Sequence, residues 1–220
     1  TINSSTFYGC NNITKLVISK NVTSIGDYAF YNNAALKQLI IPEKVQSIGQ
    51  YAFSECTTIT EVKIPDSVTS IGAHVFDGNI RVSKYTIGSG LKNIPTYAFA
   101  DNTSLKSIVV PNNVTSIASF AFNGCSNITE ITLPFVGAGR NATGPDGAFG
   151  YIFGYFLYSA GDSLNGYSYG RYVYAYDGTT LASPSNSNAS VRYTSVSSTN
   201  FEGNRIVGLT PTTAQAWYSC

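Results

Sequence analysis

Charge is scarce in this sequence. Only 11% of its 220 residues are Asp, Glu, Lys or Arg, and the formal net charge is +1. Nucleic-acid binding needs a clustered basic patch, and none is present. The same balance gives no electrostatic attraction to an anionic membrane surface. No apolar run reaches the length of about 18 residues that a membrane-spanning helix requires. Histidine occurs once, as His74. No Cys/His cluster has zinc spacing. No glycine-rich loop leads into a helix, which removes a phosphate site. The acidic residues are too scattered for a calcium loop. No catalytic residue, metal ligand or cofactor is therefore assigned. Methionine is absent altogether.

What is present is a period. Phe7, Phe30, Phe53, Phe76, Phe99 and Phe122 recur at one fixed spacing without a slip. A period in the 20–29 range marks a solenoid in which each repeat is one turn of a coil. With phenylalanine as position one, the unit reads F-x-x-(C/N)-x-x-I-x-x-I-x-I-P-x-x-V-x-x-I-G-x-Y-A. Ile2 falls at position nineteen of an earlier copy. The chain is thus expected to be a mature product or a fragment, with the coil starting upstream.

Strand alternation sorts the side chains. Leu16 and Ile18, Leu39 and Ile41, Val62 and Ile64, Tyr85 and Ile87, Ile108 and Val110, Ile131 and Leu133 should face inward. Parallel strands are expected near Leu16, Leu39, Val62, Tyr85, Ile108 and Ile131, about 4.8 Å apart. Proline at position thirteen (Pro42, Pro65, Pro111, Pro134) ends each strand, because it donates no ladder bond. Glycine at position twenty (Gly26, Gly49, Gly72) suits a tight bend. Position twenty-two is aromatic in Tyr28, Tyr51, Tyr97 and Phe120, with His74 as the exception. That imidazole is expected to pack in register, not to act as a ligand. Copy four carries Gly88 for proline and Pro95 for glycine, so a local distortion is expected there.

The run IPDSVTSIGAHVF, echoed in IPEKVQSIGQYAF and VPNNVTSIASFAF, resembles the BspA-type leucine-rich repeat of bacterial and protist surface proteins. The resemblance covers residues 1–134. It implies a β-rich leucine-rich-repeat solenoid of short parallel strands stacked in a curved coil. The segment from Leu133 to Tyr155 also looks like an irregular insert found between such repeats. Residues 135–220 are then an irregular repeat or a capping segment, rich in tyrosine.

Cys10, Cys56 and Cys125 all occupy position four. The nearest two lie two repeats apart, about 10 Å. A disulfide spans at most roughly 7 Å between Cα atoms. They are expected to be reduced, small buried hydrophobes, alternating with Asn33, Asn79 and Asn102, which satisfy backbone groups at the turn. Cys220 stands apart and is either a free thiol or paired elsewhere.

In the tail, Tyr172, Tyr174 and Tyr176 alternate and meet the Asp177-Gly178 turn signal, which reads as a hairpin. Leu181–Ser190 reads as a loop, and Val191–Val196 and Asn204–Leu209 as short strands. Two roles stay open. The tail covers the open end of the coil, or Tyr151, Tyr155, Tyr167, Tyr169, Tyr172, Tyr174 and Tyr176 form a ligand platform, glycan included. GDSL at Gly161–Leu164 matches a serine-esterase nucleophile block. Such an enzyme needs a downstream histidine, and the lone His74 lies upstream. Glycosylation sequons stand at Asn3, Asn12, Asn21, Asn102, Asn113, Asn127, Asn141 and Asn188.

These features, with the family resemblance, lead to a non-catalytic adhesion or interaction module, extracellular or on the cell surface. Its protein or matrix partner would dock on the outward strand residues. These are Lys15 and Val17, Gln38 and Ile40, Glu61 and Lys63, Lys84 and Thr86, Ser107 and Val109, Glu130 and Thr132. The alternative is a subunit of an extracellular filament or sheath, self-associating by repeat stacking.

Overall fold

The computed structural model describes residues 1–135, 138, 139 and 152, and the backbone of 175–176, 181–182, 201–202 and 205–207. Among the described residues no helix is long and apolar enough to cross a membrane. The repeats form a coil of three sides, stacked so that each residue sits beside the one a full repeat away.

The first nine strands, in chain order, are β1 (Ser24–Ile25), β2 (Ser47–Ile48), β3 (Glu61–Ile64), β4 (Ser70–Ile71), β5 (Lys84–Ile87), β6 (Asn93–Ile94), β7 (Ser107–Val109), β8 (Ser116–Ile117) and β9 (Glu130–Thr132). One side of the coil holds β3, β5, β7 and β9. Pairing there is parallel and in register, Val62 beside Tyr85 and Ile108 beside Ile131. β5 and β7 lie side by side without pairing.

Strands near Leu16 and Leu39 do not form. Those segments stay extended without a ladder, tied by one bond from Lys37 N–H to Thr14 O. Coils two and three are joined just before this segment by a side chain. The Thr58 hydroxyl sits 2.8 Å from the carbonyls of both Ala34 and Leu36. That side chain makes the contact between coils, and the backbones then diverge. Leu16 and Ile18 are only half-buried, because the first coil is packed on one side.

The second side uses positions eighteen and nineteen. β1, β2 and β4 pair in parallel, as do β6 and β8. The glycine at position twenty, read from the sequence as suiting a tight bend, has no positive φ. It is there because neighbouring coils nearly touch. A Cβ on Gly26 would lie 2.6 Å from Ser4 N, and one on Gly72 would strike the Gln50 backbone. Its N–H bonds across: Gly26 to Ile2 O, Gly49 to Ile25 O, Gly72 to Ile48 O, each 2.8 Å. Pro95 has no N–H to continue this line, and pairing stops between β4 and β6. The coil itself runs on, so copy four is distorted, not broken.

The third side is a ladder of bends. Phe30 N–H bonds to Ala52 O, Phe53 to Val75 O, Phe76 to Ala98 O and Phe99 to Ala121 O, at 2.9 to 3.0 Å. Here the left-handed residues sit, at positions twenty-two and three. Tyr28, Tyr51, His74, Tyr97 and Phe120 have φ of 53° to 62°. For aromatic residues that conformation is costly. Stacking offsets it. Tyr28, Tyr51, His74, Tyr97 and Phe120 form an outer column with ring centroids 4.4 to 5.0 Å apart. Inside, the six period-defining phenylalanines stack at 5.0 to 5.8 Å.

Four further strands are described by their backbone. These are β10 (Ala175–Tyr176), β11 (Leu181–Ala182), β12 (Phe201–Glu202) and β13 (Arg205–Val207). β10 and β11 form the antiparallel hairpin expected at Asp177-Gly178. Leu181 and Ala182, read as loop, are its return strand. β13 pairs antiparallel with β9, Ile206 beside Ile131. Ile152 is buried and accepts the Phe122 N–H.

Candidate functional site

The outward face of the strand side is the candidate site. Lys15, Val17, Gln38, Ile40, Glu61, Lys63, Lys84, Thr86, Ser107 and Val109 are all exposed. Their neighbours Leu39, Ile41, Val62, Ile64, Tyr85, Ile87, Ile108 and Val110 are buried. Glu130 and Thr132 are half-buried, since they lie on the strand that β13 joins. Val17 is 82% exposed, Ile40 63% and Val109 61%.

Charge on this face is mostly lysine. Two members were missed from strand alternation alone: Lys37 and Lys106, at position eight, are exposed just before the strand. Counting charges along position eight as well as nine and eleven would have found them. Lys63 forms an ion pair with Glu43 at 2.8 Å. Both groups are exposed, so it adds little stability. A groove of about 360 Å³ opens where coils two and three diverge. Lys37, Gln38 and Leu39 line one wall, Thr60 to Lys63 the other, and Lys84 and Thr86 close it.

The opposite charge gathers on the side of bends. Glu55 and Asp101 at position three and Asp77 at position two follow one another up the coil. Burial, then repulsion from Asp77 and Asp101, raises the Glu55 carboxyl above its ordinary range. Burial, then repulsion from Asp77, does the same to Asp101. His74 joins this row, its Nδ1 2.7 Å from Asp77 Oδ2, and stacks between Tyr51 and Tyr97. It is packed in register, as expected.

The cysteines prove to be donors as well as fillers. Cys56 Sγ donates to Phe30 O at 3.3 Å and Cys125 Sγ to Phe99 O at 2.9 Å. Asn33, Asn79 and Asn102 make the same bond to Phe7, Phe53 and Phe76. The cysteines Cys10, Cys56 and Cys125 are unbridged, and Cys10 is only half-buried. Burial pushes the Cys56 and Cys125 thiols up to about 12. They are no nucleophiles.

Among the sequons, Asn3, Asn12, Asn21 and Asn127 are exposed and Asn113 is half-buried. Asn102 is fully buried, and its amide donates to three carbonyls. It accepts no glycan in the folded coil. Asn141, Asn188, Cys220, the GDSL segment and the tyrosines from Tyr151 to Tyr174 lie outside the described residues, and Tyr176 is described by its backbone alone.

The comparisons agree with this geometry. The BspA type leucine rich repeat region matches residues 23–138 in 6 copies. No curated protein matches the chain. A leucine-rich repeat protein of T. pallidum, TpLRR, is similar in structure, with 28% identity and a TM-score of 0.58. The match covers 59% of this chain and 61% of that one. A leucine-rich repeat protein from Bacteroides ovatus has 25% identity and a TM-score of 0.49, over 60% of this chain and 41% of its own. One from Eubacterium ventriosum has 21% identity and a TM-score of 0.53, over 68% and 45%. The matched repeats thus span about three fifths or less of these solved chains. With its unbroken phenylalanine column, its three-sided coil and six matched copies, the chain belongs to the BspA-type leucine-rich repeat family.

Proposed function

We propose that this chain is a non-catalytic interaction module of a secreted or cell-surface protein, docking a protein or matrix partner through its strand face. The observation that carries this reading is the row of exposed branched residues. Val17, Ile40 and Val109 stand outward on a rigid framework while their sequence neighbours are buried. Val17 and Ile40 stand on adjacent coils, and adjoining exposed apolar side chains of this kind mark partner sites. The flanking lysines supply orientation. Filament assembly by end-to-end stacking is less well supported, because β13 already occupies the edge of β9 that stacking would use.

Attachment to cells or matrix-coated surfaces tests the reading. Ile40→Asp and Val109→Asp should weaken attachment by about tenfold or more, while stability stays within about 0.5 kcal/mol. Ile41→Asp and Val110→Asp, one residue along, should unfold the coil, because a charge would enter the core. Full attachment by both surface variants would place the functional face elsewhere, and the tyrosines from Tyr151 to Tyr176 would be next.

A further inference from the structure

Coils five and six show a closed seam on the strand side. Glu130 N–H bonds to Lys106 O at 3.2 Å, and Val110 N–H to Thr132 O at 2.8 Å. The same positions of coils two and three are held by Glu61, Lys37, Ile41 and Lys63. Among the described residues neither bond forms there. β3 pairs with β5 along one edge only. Its other edge, toward coil two, is left with the N–H and C=O groups of Glu61 and Lys63. The groove of about 360 Å³ opens at that edge, and Leu39 and Val62 give it an apolar lining.

Charge narrows what can occupy it. The lining holds Lys37, Lys63 and Lys84 against one carboxylate, Glu61. Lys63 is paired with Glu43, and Glu61 stands beside Lys84 in register. Among the described residues neither Lys37 nor Lys84 forms an ion pair. The groove therefore keeps a positive excess, with ammonium groups free on both walls. Its backbone offers donors and acceptors alike. A free anion would meet the donors and leave the carbonyls unmet, whereas a polypeptide backbone matches both.

We propose that the open edge of β3 takes an extended segment of the protein partner by strand addition, a segment with acidic residues two apart. In parallel pairing, the residue between them gives its N–H to Glu61 O and receives Lys63 N–H. These are the bonds that Leu39 would make in a closed seam. Side chains of the added strand alternate. The two carboxylates point outward, to Lys37 and Lys84. The residue between them points inward onto Leu39 and Val62, and should be apolar.

The proposal rests on the strand face being a docking surface and adds the partner's chemistry and its point of entry. Amide NMR of the isotope-labelled full chain, titrated with end-capped peptides, is the test. Thr-Glu-Val-Glu-Thr should shift the Glu61 and Lys63 amides saturably, with a Kd near about 1 mM. Thr-Gln-Val-Gln-Thr should bind about tenfold more weakly or worse. So should Thr-Glu-Pro-Glu-Thr, whose centre donates no ladder bond. Lys37→Glu with Lys84→Glu should weaken the first peptide by about tenfold. Lys15→Glu with Lys106→Glu, the same charge change outside the groove, should leave it within about twofold at about 0.15 M salt. The peptide series uses the unmodified chain, so it decides even where a variant does not fold. Equal binding of the proline peptide overturns the proposal, as does equal weakening by the two lysine pairs. So does the absence of any shift at Glu61 and Lys63 up to about 5 mM of the first peptide. Glucuronic acid, or unlabelled chain, moving these amides as well as the first peptide would make the occupant an acidic sugar or a second copy, and overturn it too. If no peptide binds while Ile40→Asp still weakens attachment, strand addition fails and the strand-face reading stands.

Discussion

At position four, cysteine and asparagine do the same work. From Asn33 to Cys125 each fills a small buried site and donates to the phenylalanine carbonyl of the coil before, whereas Cys10 is half-buried. The sequence showed the alternation and the absence of disulfides, but not the shared bond, because a thiol is a weak donor. Thiol alkylation of the native chain should modify Cys10 first and leave Cys56 and Cys125 unreacted. Peptide mass spectrometry checks this, and equal labelling of all three would contradict their burial. The acidic row gives a second test. Glu55 and Asp101 have folded pKa values raised above the ordinary 4.5 and 3.8. For an acid this means that the folded state resists ionisation. The cost is absent below those ordinary values and fully present above the raised ones. Glu55→Gln and Asp101→Asn should therefore raise the melting temperature at pH 7, and the gain should vanish on acidification below about pH 4. A gain that persists in acid would point to a cause other than charge.

At the scale of elements, the strand side was legible and the two other sides were not. Period-two alternation separates Ile40 from Ile41 and Val109 from Val110, and the burial follows it. The strands near Leu16 and Leu39 do not form, although those segments carry apolar residues at the same alternate positions. No pattern of apolar residues encodes that. The left-handed bends had a partial signal. Position three runs Gly9, Asn32, Glu55, Gly78, Asp101 and Gly124, largely the residues that tolerate positive φ. Position twenty-two has no such signal, since tyrosine there is held by its stacked neighbours. Glycine at position twenty was visible, but its reason was a distance between coils, which one sequence does not state. Gly72→Ala should destabilise by about 1–3 kcal/mol, because its Cβ meets backbone that has nowhere to move. Urea denaturation measures it. A neutral result would mean that the coils separate freely at this joint.

At the scale of the whole molecule, β13 turns a parallel stack into a closed edge on its last strand. A chain ending at residue 135 loses that strand and the Ile152 carbonyl that receives Phe122 N–H. Such a chain should aggregate at concentrations where the full chain does not, since the β9 edge is left unpaired. Light scattering of the two preparations decides the point, and equal solubility would mean that the tail is dispensable for the coil. Adjacent coils are joined along three sides, and in the middle of the stack each joint lacks one. Coils two and three, and four and five, are unpaired on the strand side, and coils three and four are unpaired on the side interrupted by Pro95. The open seams are staggered, as in brickwork. A pull along the axis therefore meets two bonded courses at every level, and no crack can run straight through the wall.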